Sequence, residues 1–236
     1  KIAIAQKNVV FSDSSERTTI LSNYIYSDEK KSLVKAFKDP LMISVSDDEK
    51  DTMYLSADTL LSFKISNQDS IFLNDSIEGN DSIKIIQAWR NMKLIQGEMS
   101  AVADSMFYSE QDSIFKMYYS PILWMDSTQI TGDSIYLYNR NNSIYKLDIY
   151  NNAFIINLQD KEVYNQTKRK FMQAFIINKE MDKVNVDGNA ESIFFIKDDD
   201  AYNGANKSTS AFITVSFNKG EVNRVKLTGT PEAEFT

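Results

Sequence analysis

Short apolar stretches alternate with polar turns along nearly the whole chain. Residues 134–138, 192–196 and 211–217 are rich in aromatic and β-branched side chains and are bounded by Asn, Asp, Ser or Gly, which is typical of strands. The best helical candidate is residues 28–37, but Asp39-Pro40 follows it and disfavours helix there, so a hairpin fits better. The pattern therefore predicts an all-β protein.

Two half-units alternate strictly when the apolar stretches are aligned with one another. The first half-unit is a small residue followed by alternating apolar positions that end in an aromatic residue or Ile; it occurs at 22–26, 57–63, 103–108, 132–138, 171–177 and 210–217. The second half-unit is an apolar residue, a small polar kink and a further apolar stretch; it occurs at 36–42, 88–94, 118–124, 149–155, 186–193 and 227–233.

Polar turns join most neighbouring half-units, so each pair predicts a hairpin. The predicted turns are residues 27–31, 109–112, 139–143, 178–182 and 218–221. Asn and Asp tolerate left-handed backbone and fill these turns, because the chain has only 7 Gly. Hairpins that cannot bury an apolar face alone must stack into a solenoid, a sandwich or a rolled sheet.

One connection does not fit the hairpin rule. Residues 64–82 form a long polar segment, which predicts a mobile surface loop. We expect residues 1–84 to hold N-terminal repeats with this loop and residues 85–236 to hold C-terminal repeats, in one continuous elongated scaffold. Such an array has two open ends, and exposed end strands favour pairing with another chain.

Composition excludes several function classes. A net charge of −7 argues against a nucleic-acid partner, which would need a dense basic face. The absence of Cys and His excludes thiolate nucleophiles and Ser-His-Asp triads, and no Gly-x-Ser-x-Gly motif occurs, so we expect no enzyme, cofactor or metal. No run approaches the roughly 18 apolar residues of a spanning helix, which predicts a soluble protein. The chain begins at Lys1 without Met or an apolar leader, so we expect a mature or trimmed chain without its signal peptide.

The chain resembles the OstA/LptA-like family, particularly OstA-like proteins of Bacteroidetes-type bacteria. The residues with the resemblance are 103–109 (ADSMFYS), 112–114 (DSI), 120–124 (SPILW), 129–135 (QITGDSI), 151–155 (NNAFI), 164–166 (YNQ), 186–190 (VDGNA) and 206–207 (NK). Residues 85–236 show the similarity well, and residues 20–63 repeat it more weakly.

The resemblance implies an elongated open β-jelly-roll of two facing, rolled antiparallel sheets. It also implies periplasmic residence and a role in transporting lipopolysaccharide to the outer membrane. Its implied partners are lipopolysaccharide or a related envelope lipid and other OstA-like export components, joined by edge-strand pairing, and end-to-end homo-oligomers are a further expectation. Whether the protein is a bridge, a translocon domain or an accessory member is left open.

Apolar residues on both faces of several strands are more than a one-sided sheet requires. With the resemblance, they make ten residues candidates for lining a lipid groove: Phe107, Phe115, Met117, Leu123, Ile135, Leu137, Phe154, Ile156, Phe194 and Ile213. Burying a dodecyl chain at about 0.8 kcal/mol per CH₂ could supply on the order of 8 to 10 kcal/mol before ordering costs. Ordinary core packing is the alternative for each residue taken singly.

A short basic run is the candidate for contact with a lipid phosphate. It consists of Lys168, Arg169 and Lys170, and Arg forms bidentate contacts with phosphate oxygens. A solvated turn is the alternative for this run. At the level of the whole protein, the competing hypotheses are a carbohydrate-binding or adhesin-like module, in which exposed Trp or Tyr residues would contact sugars, and a structural β-solenoid.

Overall fold

The computed structural model describes residues 1–46, 51–66, 82–140, 143–160, 163–198 and 201–236. Of these described residues 82% lie in strands, which confirms the all-β prediction. The helical element among them is a 3-10 turn at Glu29–Lys31, within the range that was the best helical candidate. In the described ranges no helix has the length and apolar character needed to cross a membrane.

The chain divides into two compact units. Unit 1 comprises Lys1–Gly97 and Val102–Met117, and unit 2 comprises Glu98–Ala101 and Tyr118–Thr236. The long strand that begins at Ser82 pairs with two earlier strands of unit 1. The division into repeats at 1–84 and 85–236 stays a prediction.

Eighteen strands are present among the described residues. They are β1 (Ile2–Asp13), β2 (Thr18–Asp28), β3 (Leu33–Phe37), β4 (Leu41–Val45), β5 (Thr52–Ser56), β6 (Thr59–Ser66), β7 (Ser82–Gln96), β8 (Met99–Ser109), β9 (Ile114–Tyr118), β10 (Ile122–Met125), β11 (Thr128–Thr131), β12 (Ser134–Arg140), β13 (Ser143–Asp160), β14 (Val163–Ile177), β15 (Glu180–Asp198), β16 (Ala201–Asn218), β17 (Glu221–Thr228) and β18 (Glu232–Phe235).

Unit 1 contains a closed six-strand barrel. Its antiparallel pairings run in the order β2, β3, β6, β7, β5 and β4, and β4 pairs with β2 to close the ring. Closure is achieved because β2 and β7 each change partners partway along their length. The barrel encloses apolar side chains such as Leu55, Leu60 and Ala88. Outside the barrel, β1 pairs with β2 along nearly its whole length.

The long strands of unit 2 take part in two hydrogen-bonded ladders. Ladder 1 consists of β12, residues 143–150, 171–177, 180–187 and 212–218 of β13 to β16, and β17. Ladder 2 consists of β10, β11, residues 153–160, 163–169, 190–198 and 201–210 of the same four strands, and β18. Each of these four strands therefore passes from one ladder to the other.

The predicted kinks of the second half-unit are confirmed. All six stretches contain left-handed backbone, which turns the chain sharply. In the stretches 36–42, 118–124 and 227–233 this turn separates two strands, and in the other three it lies within one strand. The positive-φ residues are Lys38, Asp39, Arg90, Asn91, Tyr119, Ser120, Asn151, Asn152, Gly188, Gly229 and Thr230. In β13 and β15 the kink lies where the strand leaves one ladder for the other.

Several predicted hairpins are confirmed by the strand register. Asp28 pairs with Leu33, Arg140 with Ser143, Ile177 with Glu180, and Asn218 with Glu221. The predicted loop at 64–82 is wrong at its ends, because Lys64 to Ser66 belong to β6 and Ser82 begins β7, so the ladder between them is longer than the polar composition suggested. Residues 67–81 of that prediction lie outside the described residues.

Candidate functional site

The predicted groove residues fall into different environments. Seven of them are buried: Phe115, Met117, Leu123, Ile135, Leu137, Phe194 and Ile213. Phe107, Phe115 and Met117 belong to unit 1, and the others belong to unit 2. Phe107 is half-buried, with the ammonium of Lys116 5.7 Å from its ring centroid. Burial is equally the mark of an ordinary core, so contact between these residues and lipid stays a prediction.

A small cavity lies between the ladders of unit 2. It is bounded by Ile155 and Phe194 on ladder 2 and by Val184 and Val215 on ladder 1, and its volume is about 10 Å³. A single water needs roughly 10 to 15 Å³ of such volume. The cavity is therefore far too small for an acyl chain in this arrangement of side chains.

Small polar residues on ladder 2 explain part of this close packing. Ser192 and Ser208 are each 3% exposed and share a hydrogen bond of 2.8 Å between their hydroxyl groups. Ser210 is also buried and donates a hydrogen bond to the carbonyl of Thr228. Small side chains let two layers approach closely, and their hydroxyl groups are satisfied internally.

The basic run lies on β14, and its Arg169 contacts the kink of β15. Arg169 donates from Nε to the carbonyl of Asp187 at 3.0 Å and from a terminal nitrogen to the carbonyl of Asn189 at 3.1 Å. These carbonyls flank Gly188, where an added Cβ would lie 2.5 Å from the guanidinium. Arg169 therefore stabilises a turn of the backbone, while Lys168 and Lys170 are exposed. Phosphate contact by the run stays a prediction.

One open space lies in unit 1, at one end of the barrel. We call it the mouth cavity: it has a volume of about 460 Å³, within the 300 to 1,000 Å³ of typical small-molecule sites. Apolar side chains on β1, β2 and β3 form one part of its lining, and charged side chains form the rest. The lining residues are Lys1, Ala3, Phe11, Asp13, Glu16, Thr18, Ile20, Ser27, Asp28, Glu29, Ser32, Leu33, Val34, Ser62, Lys64 and Lys84.

Two lysines stand directly opposite each other in the lining of the mouth cavity. Lys64 of β6 pairs in register with Lys84 of β7. Glu16, in the turn between β1 and β2, accepts from Lys64 Nζ at 2.6 Å and from Lys84 Nζ at 3.2 Å through its two carboxylate oxygens. The carboxylate thus offsets the repulsion that like charges on facing strands would otherwise produce.

The ionisation of this cluster follows from its contacts. The hydrogen bond from Lys64 holds the pKa of the Glu16 carboxyl below its ordinary value, against burial, which acts in the opposite direction. The same hydrogen bond raises the pKa of the Lys64 ammonium. The hydroxyl of Ser15 lowers the pKa of Asp13 nearby. The charges of Glu16 and Lys64 are therefore both present at neutral pH.

A second concavity lies on the outward face of ladder 2, and we call it the outer cleft. It has a volume of about 550 Å³ and is lined by Trp124, Asp126, Ser127, Thr128, Gln129, Phe154, Ile156, Leu158, Tyr164 and Gln166. Two predicted groove residues, Phe154 and Ile156, thus face outward rather than between the ladders. Trp124 is 37% exposed and donates from its indole nitrogen to Gln129 at 3.0 Å. Burial raises the pKa of Asp126, and Glu98 and Glu180 raise it further.

No protein-family model, no curated protein and no solved structure matches the chain.

The charged cluster of the mouth cavity was missed by the sequence reasoning. Glu16 lies outside the repeated half-units. Lys64 and Lys84 are separated by a long polar segment, so their pairing cannot be recognised from their positions in the sequence. One sequence feature could have pointed to them. Side chains of a strand alternate between its two faces, and each lysine occupies a position on the inward face, where an apolar residue is usual.

Proposed function

We propose that the protein is a periplasmic scaffold that binds envelope lipid and takes part in the transport of lipopolysaccharide to the outer membrane. The observation that supports this best is the mouth cavity, which combines apolar walls with a pair of lysines. The resemblance of residues 85–236 to OstA-like proteins supports the process and the compartment. We propose that the two ladders and their kinked strands form the rolled sheets of a β-jelly-roll.

Lipid fits the mouth cavity for an energetic reason. Phe11, Ile20 and Val34 offer an apolar wall, and each CH₂ group moved there from water contributes about 0.8 kcal/mol. A chain that fills the cavity would thus bind without any charged contact. Two deeply buried barrel residues, Met42 and Met92, have flexible thioether side chains that can repack around a bound chain.

A chain-length series tests this function. Alkyl maltosides from hexyl to hexadecyl should bind with rising affinity, by up to about fourfold per CH₂ group if each is fully buried. The rise should stop once the chain is longer than the cavity, and isothermal titration calorimetry at concentrations below micelle formation would show that plateau. No binding at any length would contradict the proposal, and an unlimited rise would indicate adsorption to a surface instead.

We propose edge pairing with export components because β1 exposes apolar side chains. This strand pairs with β2, and three of its apolar side chains are strongly exposed: Ile2, Ile4 and Val10. Long apolar strands of this kind favour strand addition by another chain. The partner would be a second OstA-like protein or a second copy of this chain.

A carbohydrate-binding module is the second candidate function, because of the outer cleft. Trp124 and Tyr164 offer exposed aromatic rings there, and Gln129 and Gln166 offer amide groups that can bond to hydroxyls. In a Trp89→Phe variant Trp124 would be the one remaining tryptophan. A fluorescence change with envelope oligosaccharides, lost in Tyr164→Ala, would favour this function. A response to alkyl chains alone would exclude it.

A further inference from the structure

The inward face of β6 and β7 ends in two charged positions where apolar residues are usual. Leu60 pairs with Ala88 in the core, and further along the same two strands Lys64 pairs with Lys84. The side chain of Lys84 is only 14% exposed, so its charge is partly desolvated. Apolar residues of similar size at such positions are often neutral or stabilising. The two lysines are therefore candidates for a role in binding.

The two ammonium groups share one carboxylate that is bonded directly to both. Glu16 is that acceptor. The carboxylates of Asp13 and Glu110 also favour the charged form of Lys64 electrostatically, so the negative charge near the lysines is not limited to Glu16. A phosphate at the lysines would therefore take the place of Glu16 rather than add to it.

The position of Glu16 makes it a replaceable counterion. It lies in the short turn after β1, and its side chain is 26% exposed, so it can move away without disturbing a strand. A phosphate offers more acceptor oxygens than a carboxylate and can take hydrogen bonds from both ammonium groups at once. Phe11, Ile20 and Val34 line the same cavity, within reach of a chain attached to that phosphate.

We propose that Lys64 and Lys84 bind the anionic head group of the lipid, and that Glu16 competes with this head group for the two ammonium groups. The inference rests on the proposed function and adds the ligand class: an amphiphile with a phosphate or carboxylate next to its acyl chain. Glu16 lowers the affinity for such ligands, and it pairs with the two lysines when no ligand is bound.

Calorimetric titration of four proteins tests the inference. The proteins are the wild type, Glu16→Gln, Lys84→Gln and the control Asp104→Asn, which changes an exposed carboxylate of unit 1 that does not line the mouth cavity. The probes are dodecyl phosphate, neutral dodecyl maltoside and inorganic phosphate. Dodecyl phosphate should bind about tenfold more tightly to Glu16→Gln and about tenfold more weakly to Lys84→Gln, a difference of about 1.4 kcal/mol each way. Asp104→Asn should match the wild type.

The outcomes separate the inference from the proposed function. If dodecyl maltoside and dodecyl phosphate bind equally to all four proteins, the proposed lipid site stands and the head-group inference is overturned. If neither dodecyl probe binds to any protein, the proposed function itself fails. If inorganic phosphate binds as tightly as dodecyl phosphate, the lysines form a simple anion site and the lipid ligand is wrong. Thermal unfolding of each variant confirms that it is folded.

Discussion

A Ser62→Trp variant should lose most of its affinity for alkyl amphiphiles, by at least about tenfold. Ser62 lies between Leu60 and Lys64 on β6 and lines the mouth cavity, so a large indole there would occupy the space that the chain needs. Titration with dodecyl maltoside is the measurement, because that probe has no charge and reports on the apolar walls alone. Circular dichroism would show whether the barrel has kept its strand content.

The control for this variant is Ser12→Trp. Ser12 is exposed on β1 and does not line the mouth cavity, so the same substitution there should leave the affinity unchanged. If a folded Ser62→Trp protein binds dodecyl maltoside as well as the wild type does, the chain does not enter the mouth cavity. If both variants lose affinity equally, the effect is not specific to the cavity.

An Asp148→Ala variant should lose about 3 to 5 kcal/mol of unfolding free energy, the largest stability effect that we expect from one substitution. Asp148 is 3% exposed, and its carboxylate accepts from Tyr138 at 2.6 Å, from Gln173 at 3.0 Å and from Lys146 at 3.1 Å. Alanine would leave these donors without their common acceptor and would leave the Lys146 charge unpaired.

Urea unfolding in a Trp89→Phe background measures this effect, because Trp124 then reports on unit 2. Asp133→Ala is the matched control: Asp133 is exposed and accepts from Asn152 at 3.0 Å, so its loss should cost about 1 kcal/mol or less. Equal costs for the two variants would show that the hydrogen bonds around Asp148 do not stabilise unit 2. The burial and hydrogen bonds of Tyr138 also raise the pKa of its hydroxyl, so the folded state keeps that proton as pH rises above 10.

The sequence predicts the strands, kinks and turns well because each depends on neighbouring residues. Asn151-Asn152 adopts left-handed backbone within a strand, as an Asx pair readily does, and Asp28 caps the short turn before β3. The alternation of side chains between the two faces of a strand is also visible in the local sequence, without knowledge of which strands pair. These local features sufficed to predict an all-β chain of hairpins and kinked strands.

The candidate site could not be predicted, because it depends on distant pairings. Lys64 meets Lys84 only through the register of β6 and β7, and Glu16 joins them from a turn far away in sequence. Apolar residues on both strand faces were interpreted as a groove between sheets. In unit 2 the cavity between the ladders has a volume of only about 10 Å³, and Phe154 and Ile156 line the outer cleft.

Photo-crosslinking with a dodecyl phosphate that carries a diazirine at the end of its chain tests the central claim most directly. The mouth cavity predicts that the labelled peptides contain Phe11, Ile20 or Val34 and that excess unlabelled dodecyl phosphate prevents the labelling. Saturable labelling confined to Trp124 and Leu158 in the outer cleft, or to the buried residues between the ladders of unit 2, would contradict the account.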